Sequence, residues 1–288
     1  MNFAYLQKKF SQYDSSKFVI LPIPYEITTT YIKGTKKGPG AIIKASYDLE
    51  LYDHETDSNI AEKGIHTLQS IKNINRLSPE KMIEKVSWVT REILDDKKIP
   101  VLLGGEHTIS IGVVKAILDV FGKENLSIVH LDAHADMKNE FENNKYSHVC
   151  TLRRIRELTD HTIHVGVRSL DEEEMEYIKK NKIQIFWANE KINAKTIKDI
   201  IKHTKKNIYI TLDLDVLDPS IMPSVGTPEP GGLGWYEILS LLRSICEQKN
   251  VVGFDVVELC PIKGLAYPNF TTAKLVYKIM SYIDKYSR

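Results

Sequence analysis

The chain has 288 residues, 39 Lys and Arg against 38 Asp and Glu, and 42% hydrophobic side chains. That length and balance suit one large α/β domain, expected to run over 1–288, and no Gly/Ser-rich or Pro-rich linker and no repeat divides it. The near-zero charge with scattered Lys pairs argues against a nucleic-acid partner, and the lack of an 18-residue apolar run or secretory h-region argues against a membrane one and for a cytoplasmic protein.

Strand-like and helix-like stretches alternate from the start. Phe18-Val19-Ile20-Leu21 predicts a first strand, followed by a turn-rich segment and a helix from about Pro39. Ser78 and Pro79 place an N-cap and an N1 proline before a helix whose apolar stripe is Met82, Ile83, Val86, Val89 and Ile93. Ile99-Pro100-Val101-Leu102-Leu103 predicts a buried strand. A helix through Val113, Ala116, Ile117 and Val120 comes next, then a strand over 126–131. Further strands are expected at 162–167, 183–187, 207–212 and 251–256. Helices are expected near 171–180, 194–204 and 235–247, with a last one carrying Val276, Ile279, Met280 and Ile283. Strands alternating with helices imply right-handed crossovers and a parallel sheet covered on both faces. Sheets of that kind bind ligands beyond the carboxyl ends of their strands.

Three of those ends carry unusual residues. Asp132, His134 and Asp136 occupy every second position after one apolar run, and Asp213 and Asp215 do so after another. In extended chain such positions share a face. Gly104-Gly105-Glu106-His107 follows a third run, with paired glycines that permit a tight turn and put His107 at the same edge. Four carboxylates and two imidazoles brought together repel and desolvate at a cost of several kcal/mol unless cations lie among them. With oxygen donors outnumbering nitrogen two to one and no cysteine, the set suits hard divalent ions of higher coordination, manganese first. Six ligands are too many for one ion that keeps an open position. They suit two ions sharing carboxylates and a water. Cys150, Cys246 and Cys260 contain no CxxC and are expected to be buried fillers. His130 is expected to pack, out of phase with the neighbours of Asp132.

Taken together, these segments resemble the ureohydrolases, the arginase and agmatinase family of dimanganese hydrolases. The resemblance covers nearly the whole chain. Gly104-Gly105-Glu106-His107, Asp132-Ala133-His134-Ala135-Asp136 and Asp213-Leu214-Asp215-Val216-Leu217-Asp218-Pro219 are similar to its metal motifs, in order. Gly226-Thr227-Pro228-Glu229-Pro230-Gly231-Gly232 and Asp255-Val256-Val257-Glu258 are similar to two further signatures. The resemblance implies a three-layer αβα sandwich with a mainly parallel, roughly eight-stranded sheet, and a homo-oligomer, trimer or hexamer. It also implies two Mn2+ per subunit, bridged by Asp132 and Asp213, with His107 and Asp136 completing one site and His134 and Asp215 the other. Pro22-Ile23-Pro24-Tyr25-Glu26, Gly38-Pro39, Leu49-Glu50-Leu51-Tyr52-Asp53 and the loop before His148 are closer to agmatinase than to arginase. Asn143 stands in that loop where a glycine is usual.

A guanidinium resists water, so its hydrolysis needs a strong nucleophile, a counter-charge and a proton for the departing amine. Metals supply the first by acidifying a shared water. Glu258 is the candidate counter-charge, since a carboxylate pairs with a guanidinium through two parallel hydrogen bonds. His148, in a polar loop, is the candidate proton shuttle, and Thr227 is expected to add a hydrogen bond at the leaving side. Asp171-Glu172-Glu173-Glu174 either charges a helix N-terminus favourably or attracts the far amine of a diamine-like substrate. The expected reaction is agmatine to putrescine and urea. Aminopropylagmatine, guanidinobutyrate (for which Lys138 offers a countercharge) and arginine are alternatives, as is a metal-stabilised binding protein without turnover.

Overall fold

Strand residues alternate between two apolar layers, and this builds the sheet. In the computed structural model, which describes residues 2–287, ten strands form. They are β1 (Phe18–Ile23), β2 (Tyr52–Asp53), β3 (Ser58–Asn59), β4 (Ile65–Thr67), β5 (Ile99–Gly104) and β6 (Leu126–Leu131), then β7 (Thr162–Val167), β8 (Ile185–Trp187), β9 (Asn207–Asp213) and β10 (Asn250–Val257). Eight helices separate them: α1 (Gly38–Ala45), α2 (Pro79–Asp95), α3 (Ile109–Phe121), α4 (Thr151–Leu158), α5 (Glu172–Asn181), α6 (Ala194–Lys202), α7 (Trp235–Gln248) and α8 (Tyr267–Tyr286). On β1, Phe18 and Ile20 enter one core with residues of α1, α6, α7 and α8, while Val19, Leu21 and Ile23 enter the other with α2, α3, α4 and α5. The result is the expected three-layer αβα sandwich.

The main sheet has eight parallel strands in the order β4-β1-β5-β10-β9-β6-β7-β8. From β1 the chain steps outward to β4 and returns to β5. It then jumps to β6 and works outward to β8, and β9 and β10 come back to fill the gap. The direction of winding therefore reverses across the four central strands, which opens a crevice at their carboxyl ends. Register fixes what meets there. Leu131 pairs with Leu212, so Asp132 and Asp213 follow side by side, and Val257 lies opposite Asp213.

Local chemistry sets the helix starts. Ser78 caps α2 ahead of Pro79, and the Asn193 side chain accepts from Lys195 N and Thr196 N at 2.9 and 3.1 Å to open α6. All seven strands expected from the sequence are present. The eighth, β4, is a three-residue edge strand, and the β2–β3 hairpin and α4 are likewise too short or too polar to show as periodic runs.

Candidate active site

The carboxylates reach the crevice by turns rather than by strand alternation, which differs from the expectation. β6 stops at Leu131, and Asp136 has a left-handed backbone with φ 53°. Asp213 ends β9, and its Oδ1 accepts from Asp215 N at 2.9 Å, tying Asp215 into a single 3-10 turn. Asp215 Oδ1 in turn accepts from Ala133 N at 2.9 Å, which locks the two segments together. The residues singled out from the sequence meet at the crevice, but hydrogen-bonded turns place them there.

All six expected ligand residues converge. His107 Nδ1 lies 3.1 Å from Asp132 Oδ2, 3.3 Å from Asp136 Oδ2 and 3.4 Å from Asp213 Oδ2. His134 Nδ1 lies 2.9 Å from Asp215 Oδ2 and 3.6 Å from Asp132 Oδ1. Two groups with ligand atoms close enough to share an ion follow: His107, His130, Asp132 and Asp136, and Asp132, His134 and Asp215. Asp132 belongs to both.

Electrostatics show what the cluster lacks. Burial lifts the carboxyl of Asp213 well above the usual range, with Asp215 and Asp132 adding to the effect, and burial with Asp132 pushes Asp215 up to about 6. Burial opposes charge on His134, yet Asp215 and Asp132 raise it to about 12; His107 is likewise raised well above its ordinary value by Asp132, Asp136 and Asp213. The carboxylates demand positive charge at both imidazoles.

The tautomer of His107 says which kind. Thr211 Oγ1 donates to Asp255 Oδ1 at 2.8 Å, so at its 2.9 Å contact with His107 Nε2 it is left to accept. In the neutral ring the proton therefore sits on Nε2, which leaves the Nδ1 lone pair facing three carboxylate oxygens. That atom is fully buried and has no hydrogen-bond partner. A lone pair and carboxylates about 3 Å apart match neighbouring ligand atoms around an ion with bonds of about 2.0–2.2 Å. The donor set fits a divalent metal.

Glu258 and His148 meet beside this cluster. Glu258 is buried, with φ 66°, and its Oε1 accepts from His107 N at 2.8 Å and lies 3.3 Å from His148 Nδ1. Burial opposes a proton on His148, but Glu258, Asp136 and Glu106 raise it to about 9. Thr227 is half-buried on the loop whose Gly226 faces Glu258; a Cβ on that glycine would lie 3.9 Å from Glu258 Oε2. The acidic run takes the first of its two readings. Asp171 caps α5, Glu174 completes a capping box, and Asp171 also pairs with Lys138.

Several supporting residues escaped sequence reasoning. His130 is not out of phase: it shares parity with Asp132, and its Nε2 lies 2.8 Å from Asp132 Oδ2. Thr211 stands two before Asp213 and carried the same signal. Buried Glu106 accepts from Ile27 N and Thr28 N at 2.7 Å each and from Thr28 Oγ1 at 2.8 Å. Thr28 Oγ1 then accepts from His148 N at 2.9 Å, and Thr30 Oγ1 contacts His148 Nε2 at 3.2 Å. No local pattern reveals a contact made across 118 residues.

Comparison with known proteins agrees with this geometry. The model of the family described as "Arginase family" matches residues 16–283. An N(1)-aminopropylagmatine ureohydrolase of Synechocystis sp. is 39% identical over 94% of this chain and 90% of its own length. An agmatinase of Pyrococcus horikoshii is 31% identical over 91% of this chain and 90% of its own. Among solved structures, the agmatine ureohydrolase of Thermoplasma volcanium superposes with a TM-score of 0.84 at 29% identity, covering 98% of this chain and 96% of that one.

Proposed function

We propose, from the premise that the chain belongs to the arginase family and is a ureohydrolase, that it releases urea from a 4-guanidinobutylamine unit. Agmatine is the simplest such substrate. The name of the Synechocystis relative favours a second, N(1)-aminopropylagmatine, which carries the same unit. The whole chain is read as one ureohydrolase domain.

The observation that carries this reading is the contact of Glu258 and His148 beside a cluster of four carboxylates and two imidazoles. His107, Asp132, His134, Asp136, Asp213 and Asp215 would hold two Mn2+. When bound, these ions supply Lewis acidity that makes water a nucleophile at neutral pH. Glu258 holds the guanidinium. Its Oε1 is fixed by the His107 N–H, and its left-handed backbone turns the side chain into the crevice. Thr227, on the facing loop, borders the leaving side. His148, raised by Glu258, Asp136 and Glu106, gives a proton to the amine nitrogen as the C–N bond breaks. Glu258 beside it keeps that proton on the ring until it is needed.

Urea release tests this reading. Protein loaded with Mn2+ should release urea from agmatine and N(1)-aminopropylagmatine at least about a hundredfold more efficiently than from arginine, whose additional carboxylate must be desolvated on binding. No urea from any guanidine, despite bound metal, would leave a metal-stabilised binding protein instead.

A further inference from the structure

Beside the cluster lies a cavity of about 200 Å³, bordered by His134 and Ser169, by the apolar Val149 and Leu170, and by Lys138 and Asp171. It has apolar wall for methylenes, and His134 and Asp136 of the cluster border it. The acids around it are already engaged. Asp171 pairs with Lys138 and accepts from Glu174 N at 3.1 Å; Glu173 accepts from Asn139 N at 3.2 Å. Glu174 is buried, accepting from Asp171 N at 3.0 Å and Met137 N at 2.8 Å.

Glu229 differs. Its side chain is 36% exposed, and among the described residues it has no Lys or Arg partner. Its Oε1 lies 3.8 Å from His134 Nε2 and accepts from Ser169 Oγ at 3.0 Å, so it touches two residues that border that cavity. Its backbone is fixed to the reaction centre as well. Arg168 Nη2 donates to Asp215 O at 2.7 Å and to Glu229 O at 2.8 Å, and Arg168 Nε donates to Pro230 O at 3.0 Å. One guanidinium thus holds the Glu229 loop at a set position against the cluster.

We propose that Glu229 is the specificity residue that reads the substrate's second positive charge, the nitrogen four carbons from the guanidine. This rests on the ureohydrolase reading and deepens it. Gly226 faces Glu258 and Glu229 follows three residues later, a reach of at most about 10 Å. A four-carbon chain puts its far nitrogen roughly 7 Å from the guanidine carbon, given bonds of about 1.5 Å. One loop can therefore reach both ends of such a substrate. In agmatine that nitrogen is a primary ammonium; in N(1)-aminopropylagmatine it is a secondary one that still donates. Guanidinobutyrate would set a carboxylate against Glu229, and like charges repel.

The test is kcat/KM for agmatine and 4-guanidinobutyrate in wild type, Glu229→Gln and Glu229→Asp. Glu229→Gln should lose about ten- to a hundredfold on agmatine, mainly through KM, as expected for a lost charge-assisted hydrogen bond. Guanidinobutyrate should hold or improve, so the preference collapses, and Glu229→Asp should retain most of it. If both substrates fall together, or neither moves, the assignment is overturned. Should wild type release urea from neither, the ureohydrolase reading fails on its own account. Calorimetric binding of the same two compounds then decides: an unchanged ratio of affinities in Glu229→Gln overturns the proposal.

Discussion

Two places in the molecule bury carboxylates side by side, and they settle the repulsion differently. Where the β2–β3 hairpin meets α8, buried Lys278 sits 2.9 Å from both Asp53 Oδ2 and Glu55 Oε1. Tyr282 OH donates to Glu55 Oε2 at 2.7 Å, and Glu55 N and Thr56 N donate to Asp53 Oδ1 at 3.0 and 3.2 Å. Burial would raise Asp53, but Lys278 and these N–H groups bring it below the usual aspartate value. At the crevice, by contrast, Asp213 and Asp215 are raised and the lone pair of His107 has no partner. The first cluster is complete in protein alone and is structural. The second is short of positive charge, which an external cation would supply.

The largest expected effect breaks the second cluster. Asp132→Asn or Asp213→Asn should lose an ion and about a thousandfold or more in urea release, while circular dichroism stays close to wild type. Elemental analysis finding the full metal content in an active variant would contradict the bridging role.

Lys278→Met breaks the first cluster instead. Stranding the buried Asp53 carboxylate beside half-buried Glu55 should cost about 3 kcal/mol of stability by denaturant titration, with metal content unchanged. The pH dependence sharpens the contrast. Asp53 has a depressed folded pKa, so its contribution is present above the ordinary 3.8 and is lost as pH falls below that toward the folded value. The stability gap between wild type and Lys278→Met should therefore be widest near neutral pH and narrow as pH falls below 3.8; a gap that does not change with pH would show the pair is not linked to folding.

Smaller effects test the groups that work beside the ions. Glu258→Gln should damage both KM and kcat, since orientation depends on it. His148→Ala should lower kcat by about a hundredfold with little change in binding, and added imidazole should restore part of it. Wild-type kinetics in either would remove that residue from the mechanism. Thr30→Val, which deletes the contact with His148 Nε2, should cost only about two- to tenfold in kcat. A change in KM alone would place Thr30 elsewhere in the chemistry.

The same contrast separates what could be read from sequence. Asp132, His134, Asp136, Asp213 and Asp215 stood out because acids directly after apolar runs conflict with burial, and the conflict is local. Strand existence was legible for the same reason: runs such as Ile99–Gly104 are apolar on both faces. Strand order was not, because β9 and β10 enter between β5 and β6 by long crossovers that leave no local mark. His130 and Thr211 were legible by parity and were missed. Glu106, Arg168 and Glu229 were not legible, since each acts through partners distant in sequence. Nothing about Lys278 in a helical stripe announces that it closes a hairpin some 225 residues earlier.

Titration of metal-stripped protein with Mn2+, followed by calorimetry and by melting temperature, tests the central claim most directly. Two equivalents should bind, and the melting temperature should rise with free Mn2+, because ions that bind only the folded chain stabilise it by mass action. Asp132→Asn should bind fewer. A wild-type protein that binds no divalent ion, and melts at the same temperature with and without it, would mean that the carboxylates of the crevice are balanced by protons on His107 and His134 and that the site is not a metal centre.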